Sequence, residues 1–393
     1  MNILLLQPAS NWYHPYAEAP SRALLILGTI AEKQRHKVKI LHLDIEQTPL
    51  PDHIIDFQPD IIGITVNTFQ VKSARNIVKL IRQIKPETKI IIGGPHAIVW
   101  GEEQKDWSPS DRVDEIVIGE GEEVWLGIVG GDNSVVSINY DLVDLKKFVG
   151  IDPIGASPSM AIMASRGCPY NCTYCNTPIF WGKKVRYRNP IDVVFEINLL
   201  HHGYGIKEIF FQDDTFNINH EWAFEIFNRI IDNGLHKKML FKLACRVNEK
   251  LITKEFLDLA YKAGVWNIFF GVESGSQEML DRMNKGITIP EIKRAFEMTH
   301  QAHINTQASF IVGLPGENWS TLAETDRLIR EIKPTRFGWC FFCPFPHTEA
   351  TRQVVEAGHR KDVDYGEYSY GKVLARTEAL DYDDLANFRG FCR

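Results

Sequence analysis

The residues of greatest chemical interest in this chain are three closely spaced cysteines, Cys168, Cys172 and Cys175. Their C-x3-C-x2-C spacing puts three thiolates on one tight loop and supplies no fourth. A cluster of four irons and four sulfurs held by three cysteines has one iron without a protein ligand. That open iron can chelate the amine and carboxylate of S-adenosylmethionine (SAM). The spacing therefore predicts a redox cluster with a vacant coordination position.

Structural zinc and disulfides are the other common roles for cysteines. Zinc prefers four ligands, usually supplied as two close pairs. The only other close pair is Cys340 and Cys343, while Cys245 and Cys392 stand alone. The total of seven cysteines is odd and nothing marks the chain as secreted, which disfavours disulfides. The cluster is therefore the favoured interpretation.

Length and charge narrow the class of protein. At 393 residues, the chain has room for two domains and a short extension. Its net charge of −6, without a basic block, argues against a nucleic-acid-binding surface. The first residues lack the features of a signal peptide, and no apolar run is long enough to span a bilayer. We therefore expect a cytoplasmic protein with reduced thiols and no membrane span.

The first 140 residues alternate between short apolar runs and helical patterns. Strands are predicted at residues 3–6, 37–43, 61–66, 89–92 and 115–118. Helices are predicted at residues 22–33 and 71–84. The alternation indicates a parallel, doubly wound α/β sheet of the Rossmann-like type over residues 1–140. A linker with little regular structure is predicted over residues 141–158.

A second alternating series occupies residues 159–346. Strands are predicted at residues 160–164, 208–211, 240–245, 267–270, 306–312 and 336–341. Helices are predicted at residues 191–201, 221–232, 253–263, 290–303 and 319–332. In barrels of parallel strands, chemistry gathers at the carboxyl ends of the strands. Residues 347–393 are predicted to form a C-terminal extension without a recognisable motif.

The cysteine segment, Ser-Arg-Gly-Cys-Pro-Tyr-Asn-Cys-Thr-Tyr-Cys-Asn, resembles the cluster motif of the radical SAM superfamily. The resemblance extends over about residues 160–346 and implies a partial (βα)6 barrel. It also implies a [4Fe–4S] cluster on the three cysteines, with SAM bound to the open iron. Tyr174 occupies a position where family members commonly place an aromatic ring beside the adenine, although a role in core packing explains it equally well.

Two adjacent acidic residues follow the second predicted strand of this barrel, Asp213 and Asp214. In radical SAM enzymes the corresponding segment contacts the amino group of the bound methionine. A carboxylate can accept a strong, charge-assisted hydrogen bond from that ammonium. The alternative is a polar turn that caps the next helix.

Three later strand ends carry further matches to the family. After the fourth strand, Glu273 and Ser274 are implied to reach the ribose hydroxyls or the carboxylate of SAM. Arg246, at the end of the third strand, is a plausible partner for a carboxylate, because its guanidinium can form two parallel hydrogen bonds to the same carboxylate. After the fifth strand, a glycine-rich turn that includes Gly313 and Pro315 resembles the segment that packs against adenine.

The N-terminal domain resembles the cobalamin-binding domain of one branch of the superfamily. The matching residues all follow predicted strands, where doubly wound sheets bind ligands. They are Asp44, Thr65, Asn67, Gly93, Gly94, His96, Gly119, Glu120 and Gly121. The alternative is a flavodoxin-like module that only packs on the barrel or binds another ligand.

Two absences refine this expectation. The chain has no Asp-x-His motif, from which other cobalamin proteins supply an axial imidazole to cobalt. The resemblance therefore implies a lower cobalt face without a histidine ligand. Residues 1–167 contain no cysteine, which excludes the cysteine-bearing domain that precedes the barrel in methylthiotransferases.

The resemblance implies a cobalamin-dependent radical SAM methyltransferase. A 5′-deoxyadenosyl radical from SAM would take a hydrogen atom from an unactivated carbon of a small-molecule substrate, and methylcobalamin would donate the methyl group. The expected partner is an electron donor such as flavodoxin or ferredoxin. The expected substrate contacts are Trp339 and His347. His347 departs from the family, because many relatives have Pro-Gly-Thr where this chain has Pro-His-Thr.

Two other functions stay open at this point. One keeps both cofactors but leads to cyclisation or another rearrangement without methyl transfer. The other is a cobalamin-binding or iron–sulfur-binding protein without catalysis. A second cluster on Cys340, Cys343 and Cys392 is a further alternative to packed thiols without a ligand.

Overall fold

A computed structural model describes residues 1–10, 19–106, 108–131, 137–148, 155–388 and 390–391. The chain divides into two compact units. Unit 1 contains Met1–Gly150 together with the short segment Val363–Ser369, and unit 2 contains Ile151–Asp362 and Tyr370–Arg393. Most of the C-terminal extension therefore belongs to unit 2, while seven of its residues belong to unit 1.

Unit 1 is built on a parallel sheet of five strands. The strands are β1 (Asn2–Gln7), β2 (Lys37–His42), β3 (Ile61–Thr65), β4 (Lys89–Gly93) and β5 (Glu115–Ile116). Their order across the sheet is β2-β1-β3-β4-β5. This order reverses direction between β1 and β3, the place where doubly wound sheets open a crevice at their carboxyl edge. The predicted fold class of this half is confirmed.

Helices connect these strands and cover the sheet. They are α1 (Arg22–Lys33), α2 (Leu50–Phe57), α3 (Val71–Ile84), α4 (Ala97–Glu103) and α5 (Glu122–Val129). The sequence pattern predicts the bounds of α1 and α3. It misses the other three, which have only seven or eight residues, because two turns give too few repeats of the apolar spacing.

Two segments beyond the helices complete unit 1. Tyr140 is buried, and the neighbouring Asn139 amide donates to the hydroxyl of Thr29 on α1 at 2.9 Å. Phe148, inside the predicted linker, packs edge-on against the ring of His42 at 5.0 Å between centroids. Residues 141–148 of that linker therefore pack on unit 1, residues 149–154 lie outside the described residues, and residues 155–158 belong to unit 2.

Unit 2 contains a parallel sheet of six strands in the order β13-β12-β11-β10-β9-β6. The strands are β6 (Ser159–Ile162), β9 (Glu208–Phe211), β10 (Leu240–Cys245), β11 (Val265–Glu273), β12 (Asn305–Val312) and β13 (Arg336–Phe341). Each strand pairs with its neighbour in the series, so the sheet curls into a half-barrel as predicted. A small antiparallel hairpin, formed by β7 (Ser165–Arg166) and β8 (Arg186–Tyr187), follows β6.

The helices of unit 2 follow the carboxyl ends of its strands. They are α6 (Thr177–Phe180), α7 (Pro190–Tyr204), α8 (His220–Asp232), α9 (Lys254–Lys262), α10 (Gln277–Arg282), α11 (Ile289–Gln301), α12 (Trp319–Ile332), α13 (Glu349–Glu356) and α14 (Tyr382–Asn387). Thr288 and Glu291 form a reciprocal capping box that fixes the start of α11. In the part of the chain that the structure describes, no helix combines the length and apolarity needed to cross a membrane.

A substitution at Gly94, in the turn after β4, tests how closely the backbone packs where β3 and β4 end. The φ of Gly94 is +96°, and an added Cβ would lie 2.8 Å from both the nitrogen and the oxygen of Val66. We expect Gly94→Ala to lower the free energy of unfolding by about 1–3 kcal/mol, measured by urea unfolding of the apo-protein. Gly127→Ala is the matched control, because an added Cβ in α5 meets no atom within 4 Å and should be neutral or slightly stabilising. Equal urea midpoints for the two variants would contradict the steric argument.

Candidate functional site

The three clustered cysteines lie on the loop between β7 and α6, above the carboxyl edge of the half-barrel. Cys168, Cys172 and Cys175 are all free thiols and all partly buried. Burial raises the pKa of the Cys168 and Cys175 thiols, so they hold their protons more firmly than an exposed cysteine does. Binding of a metal must displace those protons, because the thiolate is the ligand.

Asp214 fixes both sides of this cluster loop. Its carboxylate accepts a hydrogen bond from the Gly167 amide at 3.2 Å and one from the Thr177 hydroxyl at 3.0 Å. These residues lie just before Cys168 and just after Cys175. Two bonds to one side chain therefore hold the two ends of the cysteine segment at a fixed separation.

Backbone contacts hold the middle of the loop. The Thr173 amide donates to the carbonyl of Met283 at 2.9 Å, and the Ala350 amide donates to the carbonyl of Thr173 at 2.9 Å. The Asn284 side chain also donates to the carbonyl of Asn171 at 3.0 Å. The loop is thus anchored to the segment after α10 and to the start of α13.

The donor set fits an iron–sulfur cluster better than a single metal ion. Among the described residues, no three His, Cys, Asp or Glu side chains converge closely enough to ligate one ion. Three thiols that each bind a different iron do not need to converge on one point. Three soft sulfur donors with no fourth ligand are also the set that leaves one iron of a [4Fe–4S] cluster open.

Asp213 differs from its neighbour Asp214 because its side chain is buried in the backbone of the barrel. Its carboxylate accepts hydrogen bonds from the Ala164 amide at 3.2 Å and from the amide and hydroxyl of Ser165. Burial raises its pKa to about 6. The structure therefore places Asp213 at the join between β6 and β7, and it places the more exposed Asp214 at the cluster loop.

Arg246, at the end of β10, reaches the cluster loop. Its guanidinium carbon lies 3.6 Å from the ring centroid of Tyr170, and one nitrogen lies 3.9 Å from the Cys172 sulfur. The same group donates to the carbonyl of Lys285 and to the side chain of Asn248. This buried cation is therefore positioned to offset the negative charge that thiolates and a cluster bring.

Lys285 is a site residue that the sequence analysis misses. It is 6% exposed, and its ammonium donates to Glu273 at 2.9 Å and to the hydroxyl of Tyr174 at 3.0 Å. Ser309 donates to the other oxygen of Glu273 at 3.3 Å. One buried lysine thus joins two predicted SAM contacts, Glu273 on β11 and Tyr174 in the cluster loop. Burial, followed by the charge of Glu273, raises the pKa of Tyr174.

Ser274 and the glycine-rich turn lie close to the same edge but have different partners. The Ser274 hydroxyl accepts from the Ser276 amide at 3.2 Å and lies 3.3 Å from the Thr325 hydroxyl. It is 1% exposed, so it orders the start of α10. Gly313 and Pro315 follow β12, and the Glu317 carboxylate accepts a hydrogen bond from the Gly313 amide. Burial raises the pKa of Glu317 to about 8.

The predicted substrate residues lie in different surroundings. Trp339 packs edge-on against Phe341 and Phe388, with centroids 5.2 and 5.1 Å apart. His347 is exposed, with a φ of +60°, the left-handed conformation that glycine adopts most easily. This explains why a glycine suits the same position in the Pro-Gly-Thr pattern.

Two of the remaining cysteines, Cys340 and Cys343, lie at and after the end of the last strand of the half-barrel, β13. Cys340 and Cys343 are free, and burial raises the pKa of Cys340 to about 12 and that of Cys343 further. Cys392, the third ligand considered for a second cluster, lies outside the described residues.

In unit 1, most of the predicted cobalamin residues meet at the carboxyl edge of the sheet. The Val66 amide donates to the Gly93 carbonyl at 2.9 Å, which brings the ends of β3 and β4 together. This edge also carries Thr65, Asn67, Gly94, Gly119, Glu120 and Gly121. Asp44, after β2, accepts from the Ser10 amide at 3.0 Å, and burial raises its pKa. Asn67 caps the turn that precedes α3.

His96 lies at this edge through its backbone, because its amide donates to the Val66 carbonyl at 3.0 Å, whereas its side chain is buried. Its ring is fully buried, 3.2 Å from the Thr68 hydroxyl and 3.3 Å from the Glu103 carboxylate. The ring of Tyr365, from the segment that joins unit 1, lies edge-on to it at 5.2 Å. The ring of His96 is therefore held by contacts with Thr68, Glu103 and Tyr365.

Models of known protein families match both halves of the chain. Residues 162–329 match the model of the radical SAM superfamily, and residues 14–129 match that of the B12 binding domain. A radical SAM domain holds a [4Fe–4S] cluster and SAM, and a B12 binding domain holds cobalamin. These three are therefore the cofactors of the chain.

Several proteins named as enzymes are similar to most of the chain. It is 29% identical to an anaerobic magnesium-protoporphyrin IX monomethyl ester cyclase of Cereibacter sphaeroides, over 88% of this chain and 62% of that protein. It is 28% identical to an uncharacterized methyltransferase of Pyrococcus horikoshii, over 84% and 77% of the two chains. It is 26% identical to cytidylyl-2-hydroxyethylphosphonate methyltransferase of Streptomyces wedmorensis, over 80% of this chain and 73% of that protein. The chain thus spans less than two thirds of the cyclase's length.

Two solved structures share the fold. The radical SAM methyltransferase TsrM of Kitasatospora setae, with cobalamin and a [4Fe–4S] cluster bound, has a TM-score of 0.72 and 19% identity over 90% of this chain and 74% of that one. The cobalamin-dependent radical enzyme OxsB, with aqua-cobalamin and SAM bound, has a TM-score of 0.73 and 19% identity over 97% and 65%. At this identity the likeness establishes the fold alone.

The buried pair of Lys285 and Glu273 gives a stability test. We expect Lys285→Met to lower the free energy of unfolding of the apo-protein by about 3–5 kcal/mol, because it leaves a buried carboxylate without its cation. The double variant Lys285→Met/Glu273→Gln should recover part of that loss. The control is Lys293→Met, which removes an exposed pair with Glu331 and should cost less than about 1 kcal/mol. Equal losses for the two single lysine variants would refute the pairing.

Glu317 gives a pH test. Its carboxyl ionises near 4.5 when unfolded and near 8 in the folded protein, so between these values only the unfolded chain has released the proton. The contribution of Glu317 to the free energy of unfolding is fully present below pH 4.5. It falls as the pH rises toward 8, by up to about 1.4 kcal/mol per pH unit. Urea unfolding of the apo-protein between pH 6.5 and 8 should show this fall, and Glu317→Gln should abolish it. Glu378→Gln, which removes an exposed carboxyl at the same turn, should keep the wild-type slope.

Proposed function

Because this chain is a radical SAM protein with an N-terminal B12 binding domain, we propose that it is a cobalamin-dependent methyltransferase acting on an unactivated carbon of a small molecule. The observation that carries the proposal is the loop of three free thiols at the carboxyl edge of a half-barrel, in a chain that also has a B12 binding domain. The methyltransferases among its relatives support transfer of a methyl group.

The cofactors supply the reactive groups, and the chain holds them in place. When bound, the cluster and SAM supply a 5′-deoxyadenosyl radical that takes a hydrogen atom from the substrate, and methylcobalamin supplies the methyl group. In this proposal Cys168, Cys172 and Cys175 hold the cluster. Asp214 keeps the two ends of their loop in place through Gly167 and Thr177.

SAM would occupy the space beside this loop. Arg246 and Lys285 give the site two buried cations beside Glu273 and Tyr174, which suits a ligand with a carboxylate and a pair of ribose hydroxyls. Asp214 is the more exposed of the two adjacent acids and is therefore the better candidate for the methionine ammonium. The turn held by Glu317 would present Gly313 and Pro315 to the adenine.

Cobalamin would bind at the carboxyl edge of unit 1, where Thr65, Gly93, Gly94 and the segment of Gly119, Glu120 and Gly121 lie. Glycines at these positions let a large flat ligand approach the backbone. We keep Asp44 and Asn67 as contacts, and Trp339 and His347 as substrate contacts. We propose that His96 contributes through its backbone, because its ring is fully buried.

A cyclase or another rearrangement enzyme with the same cofactors is the second candidate. The similarity to the cyclase of Cereibacter sphaeroides favours it. The two functions share the cluster, SAM and cobalamin, and they differ in the fate of the SAM methyl group. In both, the chain would take its electrons from a small carrier protein such as flavodoxin or ferredoxin. A reducing compartment such as the cytoplasm suits thiols that must remain unoxidised.

Cysteine variants and labelled SAM test the proposal together. Reconstituted protein should contain about four irons per chain and should cleave SAM reductively to 5′-deoxyadenosine under anaerobic conditions. We expect Cys175→Ser to lose most of the iron and at least a hundredfold of the cleavage rate. Cys340→Ser, the matched control, should retain both, because Cys340 lies outside the three-cysteine loop.

The fate of the methyl group separates the two candidates. With cobalamin and a small-molecule extract present, SAM carrying a labelled methyl group should yield a labelled organic product. An unlabelled product formed together with 5′-deoxyadenosine would favour rearrangement. Zinc in place of iron, or a cluster whose EPR signal does not respond to SAM, would overturn both.

A further inference from the structure

A hairpin beside the cluster loop carries four positively charged side chains, of which Lys183 and Lys184 are exposed. It consists of β7, β8 and the turn between α6 and β8, and it contains Arg166, Lys183, Lys184 and Arg186. We call these four residues the cationic hairpin. The whole chain has a net charge of −6, so this group of cations contrasts with the rest of the protein.

The cationic hairpin is in direct contact with the cysteine segment. Gly167, the residue before Cys168, has a φ of +95°, and an added Cβ would lie 2.5 Å from the carbonyl oxygen of Lys184. The backbone of the lysine turn therefore packs against the backbone that leads into the first cluster ligand. The two lysines also follow Cys175 by only eight and nine positions.

Internal contacts hold the hairpin in one conformation. The Arg186 guanidinium donates to the carbonyl of Trp181 at 3.1 Å and to that of Lys184 at 3.2 Å. The Arg166 guanidinium lies over the ring of Trp181, 5.1 Å from its centroid. These contacts close the turn from both strands, so Lys183 and Lys184 project from a fixed base.

The two lysines have no acidic partner among the described residues, unlike Lys254, which pairs with Asp258 on the next helical turn. Lys183 and Lys184 are both exposed, and no carboxylate of the described ranges lies within 4 Å of either ammonium. Their field is therefore available to a negatively charged partner.

We infer that the cationic hairpin is the docking surface for an acidic one-electron carrier protein of the flavodoxin or ferredoxin type. The inference rests on the proposed function, because only a redox cluster needs such a partner. In the step that docking serves, the reduced carrier loses one electron and the cluster gains it, with no bond made or broken. A carrier bound at the hairpin sits beside the cysteine loop, which gives a short path for that electron.

Charge complementarity selects this partner over a nucleic acid or an anionic small molecule. Nucleic-acid-binding surfaces carry extended basic stripes, whereas this patch has four cations on one hairpin. Carrier proteins of this type present acidic residues around their redox group, and opposite charges raise the rate of encounter and set the orientation of docking. A small surface is expected for such transient redox complexes.

The test compares two pairs of adjacent exposed lysines. In Lys183→Glu/Lys184→Glu, the charge of the hairpin is reversed. The control, Lys237→Glu/Lys238→Glu, makes the same change of charge in the turn before β10, at the opposite, amino-terminal edge of the half-barrel. The first measurement is the dissociation constant of purified oxidised flavodoxin for each full-length protein, by titration calorimetry at 25 mM and at 300 mM sodium chloride.

We expect the hairpin variant to bind flavodoxin at least tenfold more weakly than wild type at 25 mM salt, and the difference to shrink at 300 mM because salt screens exposed charges. The control should bind within twofold of wild type. The second measurement is the rate of 5′-deoxyadenosine formation. With flavodoxin, its reductase and NADPH, the hairpin variant should be slowed at least tenfold, whereas with dithionite it should match wild type.

Each other outcome has a definite meaning. Equal flavodoxin affinities for the hairpin variant and the control would overturn the inference. Loss of the dithionite-driven rate in the hairpin variant would also overturn it, because the lysines would then act on SAM, substrate or folding. Failure of wild type to cleave SAM with either reductant would contradict the proposed function instead, and the binding data would still decide the docking surface.

Discussion

The constraint on which the rest of the site depends is that three thiols must stay together without a fourth ligand. Nothing inside a loop of eight residues can enforce this, so the restraint comes from outside it. Asp214 holds the two ends through Gly167 and Thr177, and backbone bonds from Met283 and Ala350 hold the middle. The half-barrel is therefore the frame that keeps one coordination position open, since β9, α10 and α13 each supply part of the restraint.

Placing this loop at a partly buried edge creates an electrostatic cost. Burial raises the pKa of the Cys168 and Cys175 thiols, and each must lose its proton to bind iron. Two buried cations, Arg246 and Lys285, lie among the same side chains and offset the charge that thiolates introduce. Lys285 also neutralises Glu273, so a carboxylate can remain at the edge without exposure to water. The site is thus a balance of buried charges around the cysteines.

This balance shows which features a sequence can reveal. The six strands of the half-barrel, and the acidic residues at their ends, follow from local patterns and from the rule that chemistry gathers at carboxyl edges. That rule does not predict Lys285, because this residue lies after α10 and contacts Glu273 only in the folded protein. The short helices α2, α4 and α5 are not predicted, because two helical turns contain too few repeats of the apolar spacing. The place of the segment Val363–Ser369 in unit 1 is not predicted either, because its partners, such as Arg75, are almost 290 positions away in the chain.

The histidines of unit 1 bear on how cobalt would be held there. His96 is fully buried between Thr68 and Glu103, and His42 is buried at the end of β2, where it accepts the Ser21 amide at 2.8 Å. Burial lowers the pKa of His42 to about 4, so its ring is neutral yet already hydrogen-bonded. Either ring would have to break these bonds and leave the core to reach a corrin at the edge. Burying and bonding a polar ring makes its release costly, so neither ring would be released easily to bind a metal.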